Sequence, residues 1–128
     1  MSVKGRPTSR ECLKKIKAAQ EKILQSDWAP AERTKLLANF EELDLWTSEE
    51  HTDALQTAIQ EVKPEDYAGS YPPLRSYEEA CKDAELFAFA WDSTQFSCRM
   101  YLKFCFVRGS LYMLSFHKDR PPKGGEEK

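Results

Sequence analysis

Apolar residues recur every three or four positions through the first half of the chain and every second position near its end, so helices come first and strands last. Thr8-Ser9-Arg10-Glu11 has the form of a capping box, and Leu13, Ile16, Ala19, Ile23 and Leu24 follow at helical spacing, predicting a first helix up to about Ser26. Pro30 suits a first helical turn, and Leu36, Leu37, Phe40 and Leu43 predict a second helix from about Ala31 to Leu43. Thr47-Ser48-Glu49-Glu50 is another capping box, before a third stripe of Ala54, Leu55, Ala58, Ile59 and Val62. Lys63-Pro64 ends it, because proline pushes the residue before it out of the helical region. Glu65 to Ser76, with Gly69, Pro72 and Pro73, reads as a loop, and Ser76 is placed to cap a short helix through Glu78 to Ala84.

The period then becomes two. Leu86 to Trp91 is apolar and aromatic enough for a buried strand. Met100 to Arg120 reads as a hairpin in which Leu102, Phe104 and Phe106 must share a face with Tyr112, Leu114 and Phe116. A three-residue loop, Arg108-Gly109-Ser110, satisfies that requirement by pairing Val107 with Leu111, Cys105 with Met113, Lys103 with Ser115 and Tyr101 with His117. The expected fold is α+β, with N-terminal helices packed on one face of a small C-terminal antiparallel sheet. Residues 1–120 form a single domain in this reading, and 121–128 a polar tail.

Composition narrows the classes of function. The chain has 128 residues, 41% of them hydrophobic, enough for one core. No apolar run resembles a signal peptide or a membrane span, so a cytoplasmic protein without a membrane partner is expected. The four cysteines, Cys12, Cys81, Cys98 and Cys105, form no CxxC pair, and are read as reduced thiols rather than zinc ligands. Net charge is -2, but residues 1–27 carry +4, 28–68 carry -7, 69–95 carry -3 and 96–128 carry +4. A polyanion would meet the termini, above all Arg99, Lys103, Arg108, Lys118 and Arg120 around the hairpin; compensating surface charge accounts for the same numbers.

The predicted register sets the Tyr101 phenol opposite the His117 imidazole, with Cβ atoms roughly 5 Å apart. With Lys103 on the same face, these groups supply a proton acceptor, a proton donor and positive charge, which is what cleavage of RNA by its own 2'-hydroxyl needs. Imidazole suits the step that changes protonation near neutral pH, and a phenol does not. An amphipathic sheet edge would place the same residues there without chemistry. His51 reads as a surface residue in an acidic segment, and Phe87, Phe89 and Trp91 as sheet core rather than a base-stacking platform. Trp28 and Trp46, each at a helix boundary, are expected to pack the helices together.

Glu41-Glu42-Leu43-Asp44-Leu45, Ala58-Ile59-Gln60-Glu61-Val62 with Glu65-Asp66-Tyr67, and above all Met100-Tyr101-Leu102-Lys103 followed by Leu114-Ser115-Phe116-His117 resemble the MqsR family of toxins. The likeness runs from about residue 10 to 118. It implies a RelE-like fold and a ribosome-independent mRNA interferase, needing no cofactor and no metal, whose partners are mRNA and a silencing antitoxin protein. The family's tyrosine falls on Tyr101, and the basic residue after its closing Ser-Phe falls on His117. Its functional lysine falls near Gly69 and its glutamine near Ala88, so neither is present unless Lys63, Arg75 or Lys82 replaces the lysine. The expected catalytic set is Tyr101, His117 and Lys103, with Arg99, Arg108, Lys118 and Arg120 binding RNA. Two other classes remain open: an inactive protein of this fold that docks a partner through an exposed hairpin edge by strand addition, and a relative that poisons another target such as gyrase.

Overall fold

The computed structural model describes residues 8–69, 75–76 and 78–119. It is an α+β arrangement of three helices, α1 (Ser9–Leu24), α2 (Arg33–Glu42) and α3 (Ser48–Glu61), and a mixed four-stranded sheet. The strands are β1 (Trp28–Pro30), β2 (Phe87–Ser93), β3 (Cys98–Val107) and β4 (Ser110–Lys118), in the spatial order β1-β4-β3-β2.

Both capping boxes form. The Glu11 amide donates to Thr8 Oγ1 at 3.0 Å while Glu11 Oε1 accepts from the Thr8 amide at 2.9 Å, and Thr47 and Glu50 exchange the equivalent bonds at 3.1 and 3.0 Å. Glu50 is thereby held below the usual carboxylate range, through amide bonds from Trp46 and Thr47. Pro30 does not open α2. It lies in β1, which runs parallel to β4 with Trp28 beside Leu111 and Pro30 beside Met113; Glu32 caps α2 instead, accepting from the Lys35 amide at 2.7 Å. Proline is tolerated there because β1 is an edge strand. The predicted Glu78–Ala84 helix is a single 3-10 turn at Glu79–Cys81.

The hairpin closes differently from the expectation. Val107 pairs with Ser110 across a two-residue turn in which Arg108 and Gly109 both take positive φ, 51° and 84°, the twist that suits tightly joined strands. Phe104 then faces Met113, but Lys103 faces Ser115, so Leu114 is an extra residue that no partner opposes. The bulge inverts the alternation of β4. Leu111 and Met113 are buried before it and Phe116 after it, in place of the predicted Tyr112, Leu114 and Phe116. Beyond the bulge the predicted register is observed, with Tyr101 beside His117 and Lys103 beside Ser115.

One cluster of buried side chains unites Ile16, Ile23, Leu36, Phe40, Leu55 and Ile59 of the helices with Phe87, Phe89, Trp91, Leu102, Phe104 and Phe116 of the sheet. His51 belongs to this interior rather than to the surface, only 9% exposed and stacked on Phe40 at 3.9 Å. Trp28 packs edge-on to Phe40 at 6.3 Å, but Trp46 is 62% exposed and does not join the helices. Among the described residues the outer edge of the hairpin is covered in part, at the start of β4 and at Phe116. β3 lies between β2 and β4, β1 covers β4 at Leu111 to Met113, and the Phe116 amide donates to Asn39 Oδ1 of α2 at 2.9 Å. No helix among the described residues is long and apolar enough to cross a membrane.

Candidate functional site on the outer sheet face

Because β3 alternates without interruption, Arg99, Tyr101, Lys103 and Cys105 project away from the face that carries Met100, Leu102 and Phe104. Their neighbours on β2 are Asp92, Ala90 and Ala88, paired with Arg99, Tyr101 and Lys103, and on β4 they are His117 and Ser115. The Tyr101 and His117 rings stack, with centroids 5.2 Å apart and planes 24° from parallel.

Their chemical states differ. His117 Nδ1 lies 2.7 Å from the Lys118 carbonyl oxygen, which can only accept, so the hydrogen is on Nδ1 and Nε2 keeps its lone pair in the neutral ring. Burial pushes the Tyr101 phenol above its ordinary range, with the negative charge of Asp119 adding to the effect. Tyr101 therefore keeps its hydroxyl hydrogen and can donate it, while Nε2 of the neutral His117 ring can accept. Lys103, half-buried between Ala88 and Ser115, makes no ion pair among the described residues.

The remaining predicted cations are placed unequally. Arg99 is held between two carboxylates, Nη1 to Asp92 at 3.3 Å and Nε to Asp119 at 3.3 Å, so its charge is already answered. Lys118 pairs with the inward-facing Met100 and leaves the sheet on the opposite side from His117. Arg108, in the turn seven residues from Tyr101, is roughly 24 Å away along the strand. Arg120 lies outside the described residues. Tyr101, His117 and Lys103 are thus brought together, with Arg99 at their border and Arg108 and Lys118 apart.

The two positions where the family's lysine and glutamine would fall also converge here. Ala88 pairs with Lys103, and the Ala68 amide donates to the Ala88 carbonyl at 2.8 Å, which brings Gly69 alongside. A side chain at Gly69 would meet the Tyr67 hydroxyl at 2.6 Å, so a lysine there would require that ring to move. Arg75, a suggested replacement, is engaged with the Asp83 carbonyl at 2.8 Å. Among the described residues no group of three His, Cys, Asp or Glu side chains is placed to hold a metal ion.

Cys81 and Cys105 meet on this face away from Tyr101. The Cys105 thiol is pushed well above its ordinary range by burial and by the neighbouring Cys81, and all four cysteines are free. No family model, curated protein or solved structure matches the chain.

Proposed function

We propose that the protein is an endoribonuclease of the MqsR type, with its helices against one face of the sheet in the RelE-like manner, the toxin of a toxin-antitoxin pair acting on mRNA in the cytoplasm. The observation that carries this reading is the stacked Tyr101–His117 pair beside the unpaired ammonium of Lys103. His117 Nε2 takes the proton from a ribose 2'-hydroxyl as that oxygen attacks the adjacent phosphorus, Lys103 balances the charge gathering on the phosphate, and the Tyr101 hydroxyl gives a proton to the departing 5'-oxygen. The products are a 2',3'-cyclic phosphate and a free 5'-hydroxyl. Base, acid and countercharge all come from side chains, so the steps are written without a metal.

One observation favours the inactive interaction protein instead. Arg99 is neutralised, and Gly69 and Ala88 stand where the family carries its lysine and glutamine, leaving Lys103 as the cation beside the pair that no carboxylate among the described residues answers. Cleavage of an unstructured mRNA by the purified protein separates the two readings. Wild type should cut and leave cyclic phosphate ends, His117→Ala and Tyr101→Phe should each lose about a hundredfold or more in rate, and cutting should weaken steeply with salt. Equal background cleavage by all three proteins removes the enzymatic reading and leaves the binding one.

A further inference from the structure

We propose that the cleft between α2 and α3, on the helical side of the molecule, binds a small arylalkylamine, a flat ring that carries a protonated amino group on a short alkyl chain. The cleft has a volume of about 570 Å³, within the range of pockets that enclose ligands of one or two rings. Its floor is aromatic. His51 stacks on Phe40, planes within 9°, and covers it, so a flat ring entering the cleft would meet the half-buried Trp28 indole, which stands edge-on to Phe40, and the exposed part of the His51 ring.

The wall supplied by α3 explains the amino group. Glu49, Thr52, Asp53 and Gln56 fall at spacings of three and four residues and so form one stripe of that helix, facing the cleft. Glu49 and Asp53 are exposed, and neither makes an ion pair among the described residues. Like charges four apart on a helix repel, so a cation held between them relieves a standing cost. Arg33 on the α2 side pairs with neither of them, and the three together leave the mouth with one net negative charge.

His51 is a second and independent pointer. Its Nε2 lies 3.0 Å from the Leu45 carbonyl oxygen and therefore carries the hydrogen, which leaves Nδ1 as an acceptor in the neutral ring. Nδ1 has no hydrogen bond although the residue is only 9% exposed, and among the described residues no fully buried side-chain nitrogen or oxygen lacks a partner. Nδ1 therefore opens on the cleft, an acceptor awaiting an N–H donor. Two carboxylates and one imidazole nitrogen match the three hydrogens of an alkylammonium group, whereas a carboxylate or phosphate of the same size would face two like charges.

The test titrates phenethylamine into the full-length protein and follows the Trp28 indole and α3 amide resonances, with phenylacetate as the isosteric anion. Saturable shifts with the amine, and binding about tenfold weaker in the Glu49→Gln/Asp53→Asn double variant, are expected from the loss of two exposed ion pairs. Phenylacetate should bind at least tenfold more weakly than the amine. Both substitutions are at exposed positions; should the double variant misfold by circular dichroism, each single variant should still weaken binding about threefold. The inference is overturned by an absence of saturable shifts with phenethylamine, by equal binding of phenylacetate, or by folded variants that bind the amine as tightly as wild type. None of these outcomes depends on the ribonuclease reading, because the cleft shares no residue with the outer sheet face.

Discussion

Glu61, the last residue of α3, is a clamp on the β2–β3 connection, and removing it should cost more than a surface carboxylate normally does. Its Oε1 accepts from Trp91 Nε1 at 2.8 Å and from Ser93 Oγ at 2.8 Å, and its Oε2 accepts from the Gln95 amide at 3.0 Å. Hydrogen bonds to a charged acceptor contribute about 1.5–3 kcal/mol each, and a donor stranded in the interior costs about 1–3 kcal/mol. Trp91 is 2% exposed, so alanine at 61 strands its indole N–H, whereas the Ser93 hydroxyl can rotate and the Gln95 amide can meet water. Glu61→Ala should therefore lose about 3–4 kcal/mol, or about 12–16 °C in melting temperature for a chain of this size. Glu61→Gln keeps one acceptor oxygen and should lose about 1–1.5 kcal/mol. Burial works against the charged form of Glu61, but the bonds from Trp91, Ser93, Gln95 and Thr94 outweigh it and hold the group below the usual carboxylate range. A depressed carboxylate stabilises the fold at pH above its unfolded value and loses that contribution as pH falls through its folded one. The gap between wild type and Glu61→Ala should thus narrow below about pH 4, by about 1 kcal/mol because solvent screens a partly exposed group. Urea unfolding followed by tryptophan fluorescence at pH 7 and pH 3 measures both quantities. A loss below about 1 kcal/mol at pH 7 would refute the clamp.

Two further outcomes follow from the hairpin. Gly109→Ala meets no atom within 4 Å, so its whole cost is the positive φ, about 1 kcal/mol, while Arg108→Asn relieves the same strain one residue earlier and should gain about 0.5 kcal/mol; thermal melts of the two variants should move in opposite directions. Asn39→Ala leaves the Phe116 amide without its acceptor and should cost about 1–3 kcal/mol and speed exchange of that amide, whereas Asn39→Asp, which keeps the oxygen, should do neither.

Helices were legible because each carries its own signals. The Thr8 and Thr47 boxes and the three apolar stripes name their elements from a few neighbouring residues, and those elements form. What escaped notice depends on residues distant in the chain. β1 is three residues long, too short to show alternation, and exists only because β4 lies beside it. His51 sits among acids in sequence, and its burial against Phe40 is decided by how α2 meets α3. Gly109 announces its own left-handed backbone, but Arg108-Gly109 lacks the asparagine or aspartate that usually marks a two-residue turn, so the positive φ of Arg108 and the shorter loop had no readable sign. The carboxylates on Arg99 come from β2 and from beyond β4, and only the register brings them to one guanidinium.

The bulge at Leu114 couples the core to the candidate site. Continued without it, the register set at the turn would place Phe116 beside Tyr101 on the outer face and turn His117 inward, opposite Met100. That arrangement would expose an aromatic ring now 0% exposed and bury an imidazole without a partner, a penalty of several kcal/mol from two directions. One unpaired residue removes both faults. The same hydrophobic demand that sends Phe116 into the interior therefore delivers the imidazole to the phenol, and the Asn39 contact to the Phe116 amide fixes the β4 backbone two residues past the bulge. The backbone positions of an outer-face pair obtained in this way are set by the packing of the core beneath it, and a fixed backbone is a condition a proton-transfer site must meet if its groups are to stay aligned.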